Sequence, residues 1–248
     1  MARLEGKVAI VTGASKGIGA AIAEKLAEEG AATVVNYATS DADAQNVVSR
    51  ITARGGRATA VKADVSKLAD IRRLFDSAVT EFGKVDVLVN NAGVYEPRPL
   101  EAVDEHNFDW QFDVNVKGVY FVAQAAAQAF GERGGSIVNI SSVASLSPRA
   151  NLSVYSATKA AVDAFTQSLA WELGPKKILV NSILPGATET EGFAAMAGSA
   201  EMKPNAISQT PLGRIGVPRD IANVVAFLAS DDAAWITGQM IPVSGGFR

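Results

Sequence analysis

Short apolar runs alternate with longer amphipathic segments along the whole of this chain. The runs read "KVAIVTG", "AATVVNY", "RATAVKADV", "VDVLVNNAG", "GSIVNIS", "ILVNSILPG" and "QMIPVSGG", rich in β-branched residues and with little polar alternation inside. Strands covered on both faces of a parallel sheet have this composition, because neither face meets water. Between them lie "GIGAAIAEKLAEEG", "DADAQNVVSRITARGG", "SKLADIRRLFDSAVTEFG", "DEHNFDWQFDVNVKGVYFVAQAAAQAF", "VYSATKAAVDAFTQSLAWELG" and "RDIANVVAFLASDDA", whose apolar positions recur at helical spacing. Strict alternation implies right-handed β-α-β units. The expected fold is α/β: a doubly wound, Rossmann-like parallel sheet of about seven strands with helices on both faces. Residues 1–248 read as one domain, with no linker, repeat or low-complexity tract.

Local signals refine the boundaries. Gly30, Gly83 and Gly174 are placed to stop helices. Ser66 is placed to cap one helix, and Thr39, Ser40 or Asp41 another. The one long irregular stretch, residues 186–216, reads as a lid or substrate loop.

Composition then excludes several classes. A net charge of −3 without a basic block speaks against nucleic acid and anionic membranes as partners. The absence of cysteine rules out disulfides, thiolate metal sites and a cysteine nucleophile. The single histidine, His106 in "AVDEHNFDW", reads as a solvated helix position, so no transition-metal site is expected. No apolar stretch reaches the roughly 18 residues of a membrane span. The first strand begins too early for a leader peptide, so a cytoplasmic protein is expected.

The chemistry-bearing signals sit at strand ends. Gly13, Gly17 and Gly19 fall between the first strand and first helix, where glycines let a backbone approach a dinucleotide pyrophosphate at a helix N-terminus. The end of the second strand should meet the adenosine ribose. Asn36, Tyr37 and Ala38 stand where an acid would accept from a free 2′-hydroxyl, followed by Thr39 and Ser40, with Lys16 nearby. This pattern favours NADP(H) over NAD(H), although a merely solvated Lys16 would leave both cofactors acceptable.

Tyr155 precedes Lys159 by one helical turn in "YSATK", which stacks a phenol against an ammonium on one face. An adjacent cation lowers a phenol's pKa toward the range of an acid–base catalyst. Ser142, at the carboxyl end of the fifth run, points toward the ligand crevice of a doubly wound sheet, and Ser141 points to the opposite face.

Together these residues resemble the short-chain dehydrogenase/reductase family. The marks are "TGASKGIG" at 12–19, "NNAG" at 90–93, Asn115 in "NVKG", Ser142, "YSATK" at 155–159 and "PG" at 185–186. The resemblance implies an oxidoreductase with Asn115, Ser142, Tyr155 and Lys159 as its tetrad. Tyr155 would be the acid/base, Lys159 would lower its pKa and bind the nicotinamide ribose, Ser142 would orient the substrate oxygen, and Asn115 would hold a relay water. It further implies that Gly13, Ser15, Lys16, Gly17, Ile18 and Gly19 cradle the cofactor phosphates and adenosine. Asp64 and Val65 would hold the adenine, Asn90, Asn91, Ala92 and Gly93 would line the cofactor's centre and steady the sheet, and Pro185, Gly186, Thr188 and Thr190 would position the carboxamide.

The expected crevice walls are Tyr95, Pro97, Val143, Leu146, Leu152, Phe193, Met196 and Met202, with Arg98 and Arg149 near the mouth. This largely apolar list favours an uncharged ketone or alcohol over a small keto acid. The chain is similar to 3-oxoacyl-(acyl carrier protein) reductases and to sugar-alcohol or polyketide-type ketoreductases. For a carrier-borne substrate, Arg133, Lys176 and Lys177 are the candidate basic contacts. Surplus apolar residues on helices 104–131 and 153–174, including Trp110, Phe112, Phe121, Phe130, Phe165 and Trp171, point to helix-on-helix subunit contacts, and the resemblance implies a homotetramer. The reading of another class is a non-catalytic NADP(H) sensor.

Overall fold

The computed structural model describes residues 2–196 and 202–247. Seven parallel strands, β1 (Val8–Val11), β2 (Ala32–Tyr37), β3 (Arg57–Lys62), β4 (Val87–Asn90), β5 (Gly135–Ile140), β6 (Ile178–Pro185) and β7 (Met240–Val243), lie in the order β3-β2-β1-β4-β5-β6-β7. The helices are α1 (Gly17–Glu28), α2 (Asp41–Ala53), α3 (Leu68–Phe82), α4 (Glu105–Phe112), α5 (Val119–Phe130), α6 (Ser153–Leu173), α7 (Glu191–Met196), α8 (Met202–Ser208) and α9 (Pro218–Leu228).

The apolar runs behave as their composition dictates, because both faces of the sheet are covered. Ala9, Val11, Val35, Val87, Val89, Val138 and Ile140 face a core completed by α1, α2 and α9. Their neighbours Ile10, Val34, Leu88, Ile137 and Val180 face a second core completed by α3, α5 and α6. Strand periodicity of two sends alternate residues to opposite layers. Only the outermost strands relax this: β3 is exposed at both ends, and β7 carries Pro242, tolerated where one edge lacks a partner strand.

Several boundary signals fall out differently. Gly83 ends α3 in the left-handed conformation at φ 80°, as its position suggested. Gly174 instead stays right-handed at the end of α6, and the left-handed turn is taken by Lys177 at φ 59°. Ser66 does not cap α3: its hydroxyl donates to Asp64 Oδ1 at 2.7 Å, and the helix starts two residues later. Ser40 occupies the cap position of α2 without a side-chain capping bond. The 186–216 stretch is not irregular throughout, since α7 and α8 lie within it.

The switch in strand order falls between β1 and β4, where connections leave in opposite directions and open a crevice at the carboxyl ends of the strands. A buried polar chain fixes that end. Asn90 Nδ2 donates to Asn139 Oδ1 at 3.0 Å, and Asn139 Nδ2 donates to Thr166 Oγ1 at 2.9 Å, tying β4 and β5 to α6.

Candidate active site

The glycine turn is built by close approach. Gly13 has φ 60°, and a Cβ there would stand 2.8 Å from Ala92 Cα. At Gly19 a Cβ would meet Asn91 Nδ2 and Gly13 O, both at 2.4 Å. Only glycine lets this turn lie against the end of β4 and start α1 facing the crevice. Lys16 is exposed at the N-cap of α1 with extended backbone, and Ser15 and Ile18 are partly covered.

Asn36 is corrected by the structure. It is 1% exposed, its Oδ1 accepts from Gly13 N–H, and its Nδ2 donates to the carbonyls of Val61 and Ala63 at 3.2 and 3.0 Å. It faces inward because its register partners it with Val34's layer, so it clamps the glycine turn and cannot reach a ribose. Tyr37 is buried too, and its hydroxyl donates to the Asp41 carboxylate, which pushes the phenol's pKa up. The first exposed residues after β2 are Ala38 and Thr39, with Ser40 partly covered beside them.

Asp64 holds its own turn. Burial raises its carboxyl, but bonds from Ser66 N–H and hydroxyl outweigh that and leave it below the usual value. Val65 is 7% exposed and packs on Gly118, where a Cβ would come within 3.1 Å of its side chain. In the "NNAG" run, Asn91 Nδ2 donates to the carbonyls of Thr12 and Gly13, both at 2.9 Å. Asn91 and Ala92 N–H groups both donate to Thr12 Oγ1 at 3.0 Å. These asparagines shape the cradle, and Thr12, the first residue of the "TGASKGIG" motif, is their anchor.

Across the crevice, Gly186 approaches β7 so closely that a Cβ would lie 2.9 Å from Ser244 Cα. Pro185 closes β6, and Thr188 donates to Gly186 O at 3.0 Å. Thr190 Oγ1 accepts from Phe193 N–H and so caps α7. A Cβ on Gly17 would meet Thr190 and Glu191 at 3.5 Å, so the 186–191 segment reaches the start of α1.

The tetrad residues converge where α6 meets β5. Lys159 is 4% exposed, donates from Nζ to Ile140 O at 2.8 Å, and stands 5.7 Å from the Tyr155 ring centroid. Ser141 follows the last residue of β5, is buried, and donates to Lys159 O at 3.2 Å. Ser142 Oγ accepts from Ala144 N–H at 3.1 Å, and its hydroxyl acts on the Tyr155 phenol, whose pKa it lowers. Asn115 lies in a π-helical stretch, Asp113–Gly118. Its side chain is bonded to both backbone groups of Val94 and donates to Thr158 Oγ1 at 3.1 Å. The amide thus positions the turn after β4 against α6.

The pKa expectation for Tyr155 is reversed. Burial pushes the phenol up to about 12, against a smaller lowering by the Ser142 hydrogen bond. Burial likewise pushes Lys159 down to about 8, opposed by the charge of Asp163. Desolvation disfavours both charged forms more than their mutual proximity favours them.

A cleft of about 490 Å³ opens above this group, lined among others by Tyr95, Val143, Leu152, Tyr155, Phe193 and Phe247. Pro97 and Arg149 also line it. Leu146 points away and is 60% exposed, while the side chains of Met196 and Met202 lie outside the described set. Arg98 is taken up by Glu96 and Asp104 at the surface. Arg149 stacks 4.8 Å above the Phe247 ring and donates to Gln209. Arg133, Lys176 and Lys177 are at the wrong end: they precede β5 and β6, and all strands of a parallel sheet begin at the edge opposite the crevice.

A family model described as Enoyl-(Acyl carrier protein) reductase matches residues 13–248. The chain belongs to the short-chain dehydrogenase/reductase family. It is 57% identical, over the whole of both chains, to an uncharacterized oxidoreductase of Methylorubrum extorquens. It is 44% identical to the hydroxynaphthalene reductase-like protein Arp2 of Metarhizium robertsii, over 98% of this chain and 95% of that one. The solved structure of the angucycline C-6 ketoreductase LanV with bound NADP superimposes with a TM-score of 0.93 at 39% identity, covering 99% of this chain and 96% of that one. Membership in this oxidoreductase family accords with a crevice that joins a glycine turn to a phenol and a buried ammonium. No described helix is long and apolar enough to cross a membrane.

Proposed function

We propose that residues 1–248 act as one dinucleotide-binding and catalytic domain that reduces a ketone to a secondary alcohol with NADPH, reversibly, with Tyr155 as acid/base. The observation that carries this is the Tyr155 phenol in a largely apolar cleft that Ser142 also lines, one helical turn from a buried lysine.

The residues fit the cofactor. Gly13 and Gly19 let the turn pack closely against the end of β4 and lead into α1, whose first N–H groups have no partner within the helix. At Gly93 a Cβ would stand 3.4 Å from Lys159 Nζ and from Asn115 Oδ1, so glycine keeps the approach to that ammonium open. Bound there, NADPH would supply the hydride. Lys159 uses one of its three donors on Ile140, which leaves two for a ribose and the proton relay. Preference for the 2′-phosphate rests on exposed Lys16, the absence of an acid at positions 36 to 38, and engagement of Asp41 by Tyr37. NADP in the LanV structure supports it.

For reduction, a phenol held protonated by burial is the correct starting state. Tyr155 donates its proton to the substrate oxygen, Ser142 steadies that oxygen, and the Lys159 ammonium opposes the phenolate charge left behind. In oxidation the same steps run backward.

The substrate best matched to Tyr95, Phe193 and Phe247 is an aromatic or polycyclic ketone, in keeping with the printed names of Arp2 and LanV. A carrier-borne 3-oxoacyl chain loses support with the basic residues on the far edge, and an apolar wall disfavours a polyol. We propose a cytoplasmic protein, and a homotetramer, since Trp110, Tyr120 and Trp171 are exposed on α4, α5 and α6 and Tyr120 borders a shallow hollow that Phe112, Phe121 and Phe165 also line. The deciding experiment is a panel of aromatic ketones, 3-oxoacyl thioesters and polyols followed by nicotinamide absorbance with NADPH and NADH. Oxidation of NADPH by the ringed ketones supports the reading; binding without consumption across the panel would leave a sensor.

A further inference from the structure

The column that begins with Tyr155 and Lys159 continues one further turn to Asp163, which the family motif and the proposed chemistry leave without a role. Residues four apart on a helix stack on one face. Asp163 is 5% exposed, and its Oδ1 accepts from Ser182 Oγ of β6 at 2.9 Å. Its Oδ2 has no protein partner. A buried carboxylate with an unmatched oxygen is costly unless a nearby positive charge offsets it. The only such charge stacked with it on α6 is Lys159, itself buried with one hydrogen bond to a neutral carbonyl. The groups facing the column from the packed elements are neutral: Ser141, Ser142 and Asn139 from β5 and its end, Ser182 from β6, and Asn115 from the π-helical stretch. Asp113 and Lys117 of that stretch pair with each other at the surface, and Tyr95 stands beside Tyr155.

We propose that Asp163 is a positioning residue of this site: its carboxylate, anchored by Ser182, holds the Lys159 side chain as an ammonium while Tyr155 exchanges its proton. The proposal rests on the oxidoreductase reading above. It explains why a carboxylate stands where an amide would satisfy Ser182 equally well. Burial alone drives Lys159 toward neutrality, and Asp163 is the charge that opposes this. Across one helical turn in a poorly hydrated layer, such a pair is screened far less than at the surface.

The test compares wild type, Asp163→Asn, Asp163→Ser and Ser182→Ala. Lys159 is titrated in the cofactor-free protein by nitrogen-15 NMR of labelled lysine, assigned with Lys159→Met, and kcat/KM for ketone reduction is followed against pH. Both Asp163 variants should lower the Lys159 midpoint by about one pH unit and move the alkaline limb of kcat/KM down with it. Their acidic plateaus should stay within about threefold of wild type. Ser182→Ala keeps the carboxylate but removes its anchor, and should move both by less than either Asp163 variant. An unchanged Lys159 midpoint in a folded Asp163 variant overturns the proposal. If no ketone oxidises NADPH in wild type, the functional reading fails, and the NMR titration still decides the role of Asp163.

Discussion

Lys159 donates from Nζ to the backbone carbonyl of Ile140 at 2.8 Å, so the ammonium is fastened to the last residue of β5 rather than aimed at the phenol. Tyr155 lies one turn back on α6, its ring centroid 5.7 Å from that nitrogen. The pair therefore interacts by charge through a poorly hydrated layer and not by direct proton sharing.

Tyr155→Phe removes the transferable proton and leaves the ring in place. Turnover should fall by at least about 10²-fold. NADPH affinity, measured by fluorescence titration, should stay within about threefold, because the cradle at Gly13 to Gly19 is untouched. Retention of the wild-type rate would remove the phenol from the chemistry.

Lys159 and Tyr155 leave opposite marks on stability. The folded pKa of Lys159 is lowered to about 8 from 10.5, so stability falls as pH drops from 10.5 through about 8 and then levels. Tyr155 is raised to about 12 from 10.0, so its contribution is complete below pH 10 and is lost as pH rises toward 12. Below pH 8 the buried ammonium costs about 3 kcal/mol, less the bond to Ile140. Lys159→Met removes that cost but leaves the Asp163 carboxylate without its offsetting charge. Its urea midpoint at pH 7 should therefore lie below that of Lys159→Met combined with Asp163→Asn, and turnover should be lost in both.

Asn36→Asp would set a carboxylate against the carbonyls of Val61 and Ala63 in place of an amide donor. We expect a loss of about 2–4 kcal/mol in denaturant unfolding, whatever the cofactor. The cofactor choice should instead answer to Ala38→Asp, the first exposed position after β2, which should cut the NADPH-to-NADH ratio of kcat/KM by about 10-fold or more. A ratio unmoved by that change would place the 2′-phosphate elsewhere.

Tyr95 joins the catalytic floor to its cover. Its ring lies 5.5 Å from that of Tyr155, and its hydroxyl donates to Gly192 O of α7 at 3.1 Å. Tyr95→Phe keeps the wall and drops the latch. KM for a bulky ketone should rise by about 3- to 10-fold with kcat little changed, since one neutral hydrogen bond contributes about 1 kcal/mol. A fall confined to kcat would indicate a direct part in the chemistry.

Trp171 is 86% exposed at the far end of α6. Trp171→Glu should leave the monomer's fold intact and shift the species seen by sedimentation from tetramer toward smaller forms. An unchanged distribution would put the subunit contact on another face.

How much was legible in the chain differed from element to element. Val8 to Val11 and Val87 to Asn90 announced buried strands through composition alone, and the spacing of Tyr155 and Lys159 announced a shared helical face. Extending that spacing one more turn would have found Asp163. Asn36 was misread because a sequence gives its place at a strand end but not which layer its side chain enters. Arg133 and Lys177 were misread because nearness to a helix end in sequence does not say at which edge of the sheet it falls.

The order of residue types determined by itself that strands and helices alternate, that glycines open the first helix, and that a phenol and an ammonium share a column, since these follow from local periodicity and backbone freedom. Only the tertiary structure decided the Tyr155 phenol's high pKa, the inward turn of Asn36 and the placing of the basic residues beyond the cleft. Burial and charge are summed over neighbours distant along the chain, and no local pattern contains that sum.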